Sequence, residues 1–321
     1  MKKFFFIIRV IISISLIGFL FWMMRDKLPL ILHTIKSTNK NYLLIGLAFY
    51  LVSGILISLR MKTVISVQGI HFTLKESVYL TLMGYFFNNF LPTSIGGDVV
   101  KAYYAGKRIN NKGAAFAGIF MDRFLAMIPY TLIPAITLIF FHHKIDNRAL
   151  ITAVYVVFFG AIVFLWLFLH RKTVSFLAAF LEPFEEQLWY RKIRDGYEFL
   201  NKYSKHKKIL IKTLLLAASV QILVITAVFF FAKAVGATNV HLGVFFLVVP
   251  IVGVISLLPS VNGLGIRESG FVYLLKGYMF PEQAFAVSIL FLMALSAVGI
   301  MGGIVYAAKR DIFTVKTEEL E

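Results

Sequence analysis

The chain of 321 residues contains no cysteine. This absence excludes structural disulfides, thiolate metal sites, iron–sulfur clusters and cysteine nucleophiles. The sequence also lacks the phosphate-binding pattern Gly-x-x-x-x-Gly-Lys-Ser/Thr, the zinc pattern His-Glu-x-x-His and the nucleophile pattern Gly-x-Ser-x-Gly. We therefore expect no nucleotide-driven pumping by this chain alone, no catalytic residues of these types, no metal site and no cofactor.

Charged residues are also scarce, at 15%, whereas 59% of the residues are hydrophobic. A single soluble core of this length does not need so much apolar surface, so the surplus must face lipid. Runs of about 20 apolar residues match the roughly 30 Å hydrocarbon core of a bilayer. These runs predict an all-α, polytopic integral membrane protein. The apolar segments are Phe4 to Met24, Tyr42 to Leu59, Val78 to Leu91, Ala114 to Phe141, Ala149 to Leu169, Ile209 to Phe231, Leu242 to Leu258 and Ala284 to Ala308.

Acidic residues are outnumbered, 16 against 33 basic residues, which gives a formal charge of +17. The cations cluster in loops beside apolar runs, so orientation in the membrane and contact with anionic lipid explain them better than nucleic-acid binding. The most basic stretch, residues 171–208, predicts a cytoplasmic connector. Its apolar residues recur near helical spacing, which fits either an amphipathic surface helix or a solvated connector.

Both termini are predicted to be cytoplasmic. Met1-Lys2-Lys3 precedes an apolar run that is too long for a secretory signal, so we expect an uncleaved first helix, and the tail carries Lys309, Arg310 and Lys316. The expected organisation is a single transmembrane domain. Its parts are an N-terminal helix and loop (1–40), a first half (41–170), the connector (171–208), a second half (209–310) and a tail (311–321).

The basic loops conflict with a simple count of crossings. A loop around Arg60 and Lys62 and a second one from Lys101 to Lys112 both look cytoplasmic, yet only one apolar segment lies between them. A single crossing would place the second loop on the outer side of the membrane. A re-entrant hairpin, which enters the membrane and returns to the same side, keeps both loops cytoplasmic. The second half has the same problem between Leu242 and Met279. We therefore predict six full crossings and two re-entrant hairpins that enter from opposite faces, as in an inverted repeat.

The two predicted turning points resemble each other. Each has Leu-Pro, a hydroxyl residue, glycines and then an acid that opens the next apolar helix. Broken helices leave free N–H groups that attract anions such as a lipid phosphate, and glycines let a ligand approach closely. The alternative is that these polar residues only cap the return helices. The candidate residues are Asn88, Asn89, Pro92, Thr93, Ser94, Gly96, Gly97 and Asp98 in the first turn and Pro259, Ser260, Asn262, Gly263, Gly265, Arg267 and Glu268 in the second.

Ionisable residues within apolar runs also point to a site at the two turns. Asp122 and Arg123 lie inside a long apolar segment, where each costs roughly 2.5 to 3.5 kcal/mol unless it is paired or hydrated. We expect their partners to be Asp98, Lys101, Arg267 and Glu268, with both turns meeting around Arg123. Arginine suits phosphate because its planar group donates two parallel hydrogen bonds. A purely structural buried ion pair is the alternative.

These motifs, taken in order, resemble the lysylphosphatidylglycerol synthase transmembrane-region family, also called flippase-like proteins. The resemblance rests on Gly84 to Pro92, Gly96 to Lys101, Asp122-Arg123 and Leu258 to Glu268. It implies translocation or binding of a lipid and gives no support for aminoacyl transfer, because the cytosolic transferase domain is absent. Stand-alone relatives resemble partners of glycosyltransferases or polyprenyl-lipid pathways.

The expected function is therefore a flippase-like translocase in the cell membrane. An anionic phospholipid or polyprenyl-phosphate head group would bind at the midplane, with Arg123, Arg267 and Lys101 neutralising it, and movement would be passive or driven by an ion gradient. Three alternatives remain. They are a secondary transporter of a small anion, an intramembrane enzyme that uses Asp98 and Glu268 as acid and base, and a non-catalytic partner of a lipid or glycan biosynthetic enzyme.

Overall fold

A computed structural model of the chain describes residues 36–89, 96–141, 202–257 and 265–308, together with single residues or short runs between 25 and 33 and between 151 and 199. The predicted first helix, most of the basic connector and the tail lie outside these residues. So do the two turning points themselves, at residues 90–95 and 258–264.

Eight helices and no named strand make up the four main described ranges. This confirms the all-α class. The helices are α1 (Lys40–Ile65), α2 (Leu74–Asn88), α3 (Gly96–Ile109), α4 (Lys112–Phe141), α5 (Lys207–Ala234), α6 (Leu242–Ile255), α7 (Ile266–Leu274) and α8 (Pro281–Ala308).

The four long helices α1, α4, α5 and α8 are each long and apolar enough to cross a membrane. They correspond to four of the predicted apolar segments. One boundary was wrong, because α1 continues through Arg60 and Lys62, which we expected in a loop. Arg60 can stay in the helix because a buried carboxylate from α4 neutralises it.

The four short helices form two pairs. α2 and α3 contain 15 and 14 residues, and α6 and α7 contain 14 and 9. At about 1.5 Å per residue the longest spans roughly 22 Å, which is less than the hydrocarbon core of a bilayer. None of the four can therefore cross alone. The broken segments predicted from the sequence are confirmed as short helices, whereas the number of crossings and the side of entry stay predictions.

Contacts at both ends show that α2 and α3 are antiparallel. At one end, Arg108 of α3 reaches Glu76 of α2 at 2.6 Å. At the other end, the Gly97 N–H donates to the Asn88 side-chain oxygen at 2.7 Å. The start of α2 is stabilised by a capping box in which Thr73 and Glu76 satisfy each other's backbone N–H groups. This geometry is that of the predicted hairpin.

The two halves share one plan. Within the four main described ranges each half runs long, short, short, long, and the contacts between these helices follow the same plan. The first helices of the two halves, α1 and α5, pack on each other. The short helix α2 packs on the last helix of the second half, α8, and in the same way α6 packs on α4. This pattern supports the repeat expected from the two turn sequences.

The largest apolar core joins α1 to the four helices of the second half, with fully buried Phe231, Phe245 and Phe271. A smaller core in the first half includes Met61, Leu80 and Ile119. Large apolar side chains such as Leu44, Ile139 and Ile304 remain exposed along the long helices. Exposed apolar surface on membrane-crossing helices is the surface that lipid covers.

Candidate functional site

A cavity of about 560 Å³ lies among α1 to α6 and α8. Its volume falls within the usual range for small-molecule sites, about 300 to 1,000 Å³. Most of its wall is apolar, but five charged side chains from the first half are among the described lining residues. They are Arg60, Asp98, Lys101, Asp122 and Arg123.

Arg60 and Asp122 form a two-pronged ion pair between α1 and α4. The Nε atom of Arg60 lies 2.8 Å from Oδ1 of Asp122, and Nη2 lies 3.1 Å from Oδ2. The two residues are only 7% and 3% exposed. Parallel hydrogen bonds of this kind are the strongest arrangement for a guanidinium and a carboxylate. We expected Asp122 to pair with Lys101 or Arg267, and this was wrong, because its partner comes from α1.

The second charged group combines Asp98, Lys101 and Arg123. Lys101 Nζ lies 2.5 Å from one oxygen of Asp98, within the same helix, while Arg123 Nη1 lies 3.6 Å from the other oxygen. The latter distance exceeds that of a direct hydrogen bond. The Arg123 side chain is 33% exposed, against 11% for Asp98 and Lys101. Arg123 is thus the cation of this group with the most room beside it, and its predicted contact with Asp98 is present.

Close backbone packing places Asp98 in the cavity wall. A Cβ atom on Gly97 would lie 2.1 Å from the carbonyl oxygen of Gly84, a distance that real Cβ atoms do not reach. Only glycine therefore lets α3 approach α2 this closely. The same contact brings Asn88, which lines the cavity, within hydrogen-bond distance of the Gly97 N–H. Asn88 and Gly97 thus position the start of α3.

The charges of the second half lie behind the cavity wall. Arg267 and Glu268 are 3% and 4% exposed and are not among the lining residues. The guanidinium of Arg267 lies 5.6 Å from the ring centre of Phe291, and that ring does line the cavity. We expected both turns to meet around Arg123. Arg267 itself is not a lining residue, whereas the turning points lie outside the described residues, so the meeting of both turns around Arg123 stays a prediction.

Glu268 acts as a cap. One of its oxygens accepts the N–H of Gly265 at 2.5 Å, and Gly265 has a positive φ of 83°. The other oxygen lies 3.6 Å from Nη2 of Arg267. This placement agrees with the alternative in which the acids of the turns cap the return helices. Asn89 is buried against Gly299 of α8 and does not line the cavity.

Gly96 is a buried residue at the start of α3. The remaining candidates lie outside the described residues. They are Pro92, Thr93, Ser94, Pro259, Ser260, Asn262 and Gly263.

The match to a known family covers nearly the whole chain. The family model for the lysylphosphatidylglycerol synthase TM region matches residues 6–302. The chain belongs to this family. It is also similar to the UPF0104 membrane protein MJ1595 of Methanocaldococcus jannaschii, with 30% identity over 118 residues. That match covers 36% of this chain, which spans only about a third (35%) of the relative. No solved structure matches.

Membership of the lysylphosphatidylglycerol synthase TM-region family indicates an integral membrane protein with a function related to membrane lipids. Within the described ranges, no group of three or more His, Asp or Glu side chains could hold a metal ion. The charged wall of the cavity and the family's relation to membrane lipids both point to a lipid head group as the ligand chemistry.

Sequence reasoning missed Arg60 and Gln221. Arg60 stands at the edge of an apolar run, which suggested a loop. Gln221 is the only polar side chain other than hydroxyl residues between Leu214 and Phe231, and a lone amide within a span could have marked it. Gln221 lines the cavity and is 2% exposed, and its Nε2 atom has no hydrogen-bond partner among the described residues. An unsatisfied buried amide costs about 1 to 3 kcal/mol.

Proposed function

We propose that the protein binds the head group of an anionic membrane lipid in this cavity and moves it between the two leaflets. The observation that carries the proposal is the charged wall of an otherwise apolar cavity between membrane-crossing helices. A lipid supplies both parts that this lining suits, a charged head group beside the cations and acyl chains against the apolar wall. Ionisable residues at such depth are costly and mark pathways for polar groups.

Charge supports an anionic ligand. The lining holds three cations, Arg60, Lys101 and Arg123, and two carboxylates, Asp98 and Asp122. The balance of three positive and two negative charges is one positive charge. A head group with a single negative charge, such as a phosphodiester, would make the occupied cavity neutral. Neutrality matters because an uncompensated charge is strongly destabilised away from water.

Arg123 is the residue we expect to contact the phosphate. Arg60 already has both oxygens of Asp122, and Lys101 lies against Asp98 at 2.5 Å. Arg123 lies 3.6 Å from Asp98 and, with 33% of its side chain exposed, is the most exposed of the three. A phosphate could replace this long contact with two short parallel hydrogen bonds, which a guanidinium makes well.

Transport of fluorescent lipid in proteoliposomes tests the proposal. We expect Arg123→Ala to slow the movement of a phosphatidylglycerol analogue roughly tenfold to a hundredfold, the effect of losing hydrogen bonds to a charged group. Arg108→Ala is the matched control, because Arg108 pairs with Glu76 and is not among the cavity-lining residues. Equal rates for the wild type and Arg123→Ala would reject the assigned site.

Two other outcomes would change the functional class. Gradient-dependent uptake of a water-soluble anion, without movement of lipid, would identify a secondary transporter. Retention of the cellular phenotype after substitution of Arg123 would favour a non-catalytic partner of a glycosyltransferase or lipid-synthesis enzyme. The proposed location is the cell membrane with both termini cytoplasmic. Single cysteines can test this orientation by labelling without background, because the native chain has none.

A further inference from the structure

A second cavity of about 170 Å³, the side groove, lies between α1, α2 and α8. None of its described lining residues is charged. Its wall includes Leu51, Gly54 and Ile55 of α1, Val78 and Leu82 of α2, and Met301 of α8. An apolar cavity of about 150 Å³ stays dry and binds benzene, so the side groove has room for about six carbon atoms of a hydrocarbon.

Two of the hydroxyl groups in the side groove are already hydrogen-bonded within their own helices. Ser58 Oγ donates to the Gly54 carbonyl oxygen at 2.9 Å, and Thr81 Oγ1 donates to the Ser77 carbonyl oxygen at 2.8 Å. Bonds of this kind to the preceding helical turn leave the hydroxyl group with no need of a ligand. The other two hydroxyl residues of the groove are tyrosines that also line the larger cavity. Outside this shared part, the side groove suits hydrocarbon.

The side groove and the larger, charged cavity share a wall. Tyr50 of α1 and Thr81 and Tyr85 of α2 line both. Positions 81 and 85 lie one turn apart, so one face of α2 borders both spaces. The charges begin close by, because Cε of Lys101 lies 3.0 Å from the position that a Cβ atom on Gly84 would take. Lys101 therefore reaches the larger cavity next to the shared wall.

The outer side of the side groove faces away from the protein. Leu51 and Ile55 of α1 and Met301 of α8 are each 49% exposed. Both helices are long and apolar enough to cross a membrane, so lipid covers this surface. The side groove thus lies between the surrounding lipid and the larger cavity.

We propose that the side groove binds one acyl chain of the lipid whose head group lies in the larger cavity. The inference rests on the proposed function. In this position the chain stays among apolar side chains while the phosphate stays beside the cations, so neither part meets an unfavourable environment. The shared wall is short enough for one molecule to occupy both spaces. An independent membrane lipid and an apolar helix of a second copy of the chain are the other occupants that the experiment separates.

Photolabelling with a phosphatidylglycerol that carries a diazirine in one acyl chain tests the inference. Gly54→Leu fills the groove, because a Cβ atom there would have no neighbour among the described residues within 4 Å, and leucine favours a helix more than glycine does. Ala48→Leu is the matched control, since Ala48 is an exposed residue of the same helix that lines neither cavity. Mass spectrometry measures labelling at Val78 and Leu82, which line only the side groove.

We expect equal labelling of the wild type and Ala48→Leu, and about tenfold less in Gly54→Leu, as overpacking of the site predicts. Labelling should also fall about tenfold in Arg123→Ala, because the chain is held in place through its charged head group. Equal labelling of Gly54→Leu and the wild type would overturn the inference. Absence of labelling in the wild type would also overturn it and favour a helix of a second copy. Unchanged labelling in Arg123→Ala would overturn it in favour of an independent lipid.

Transport of the same lipid is a separate measurement. A wild type that is labelled as expected but moves no lipid would reject translocation and keep the acyl-chain site. The melting temperature of Gly54→Leu shows whether this variant folds. Met301→Trp narrows the groove from α8 at an exposed position, so it should reduce labelling in the same direction, and unchanged labelling in this variant would contradict the inference.

Discussion

The two halves of this protein have the same helical plan but different polar contents. Each half runs long, short, short, long, and each short pair opens its second helix with an acid at the third position, Asp98 in α3 and Glu268 in α7. Yet all five charged residues among the described lining of the cavity come from the first half. The second half supplies apolar surface, Phe291 and the amide of Gln221.

The two equivalent acids show how this difference arises. Asp98 faces the cavity and contacts both Lys101 and Arg123. Glu268 accepts the N–H of Gly265 and lies beside Arg267, and neither residue of this pair lines the cavity. One acid thus takes part in a site, and the other stabilises the start of a helix. A repeated architecture can therefore supply the scaffold twice while only one copy carries the charges of the site.

The largest effect should come from breaking the ion pair of the first half. Arg60→Met would leave the Asp122 carboxylate buried without its two-pronged partner, so we expect a loss of about 3 to 5 kcal/mol in stability. Thermal or chemical denaturation of the protein in detergent measures this loss of stability. The double variant Arg60→Met with Asp122→Leu should recover most of the loss, because no buried charge then remains.

The ion pair of the second half provides the comparison for this variant. In Arg267→Met, Glu268 would keep its hydrogen bond from the Gly265 N–H, and its contact with Arg267 is already long at 3.6 Å. We expect a smaller loss than for Arg60→Met. A loss as large as that of Arg60→Met would mean that the two halves depend equally on their buried charges.

A smaller effect is expected at the glycines where the short helices meet. In Gly97→Ala, the new methyl group would lie 2.1 Å from the backbone oxygen of Gly84, so α2 and α3 must separate. We expect a loss of about 1 to 3 kcal/mol, as for other overpacked sites. The melting temperature and the transport rate of phosphatidylglycerol should both fall, because α3 carries Asp98 and Lys101.

Gly270→Ala is the matched change in the second half. Its methyl group would meet only the Val252 side chain, at 3.3 to 3.9 Å, which can adjust. We expect a change of less than about 1 kcal/mol in either direction, since alanine also favours the helix. If Gly270→Ala were the more damaging variant, close helix packing would matter more for α6 and α7, which carry no charged cavity residue, than for α2 and α3.

The smallest effect concerns the caps of α2 and α6. Thr73→Ala removes Oγ1, which accepts the Glu76 N–H and donates to Glu76 Oε2, while the backbone N–H of residue 73 keeps its bond to Glu76, and we expect a loss of about 1 kcal/mol. His241 caps α6 by accepting a hydrogen bond from the Gly243 N–H, at 3.1 Å. His241→Ala should therefore cost less. Denaturation midpoints of the two variants, measured side by side, test this order, and the reverse order would contradict it.

Much of the architecture could be predicted because lipid imposes simple rules. Long apolar runs predicted α1, α4, α5 and α8, and the conflict between basic loops predicted the two broken segments. The contact between Asp98 and Arg123 was also expected, since charges within apolar runs must find partners. The partner of Asp122 could not be predicted. Arg60 is 62 residues away, and its apparent place at the edge of a run suggested a loop.

The sequence alone determined that the chain is a helical membrane protein with two interrupted segments, because a bilayer accepts only apolar helices with satisfied backbones. It also indicated that Asp122 and Arg123 needed partners. Only the tertiary structure decided which charges pair, that Arg60 is one of them, that Arg267 does not line the cavity, and that Gln221 faces it. Those outcomes depend on how each helix is rotated and crossed against its neighbours, which close side-chain packing decides and hydropathy does not encode.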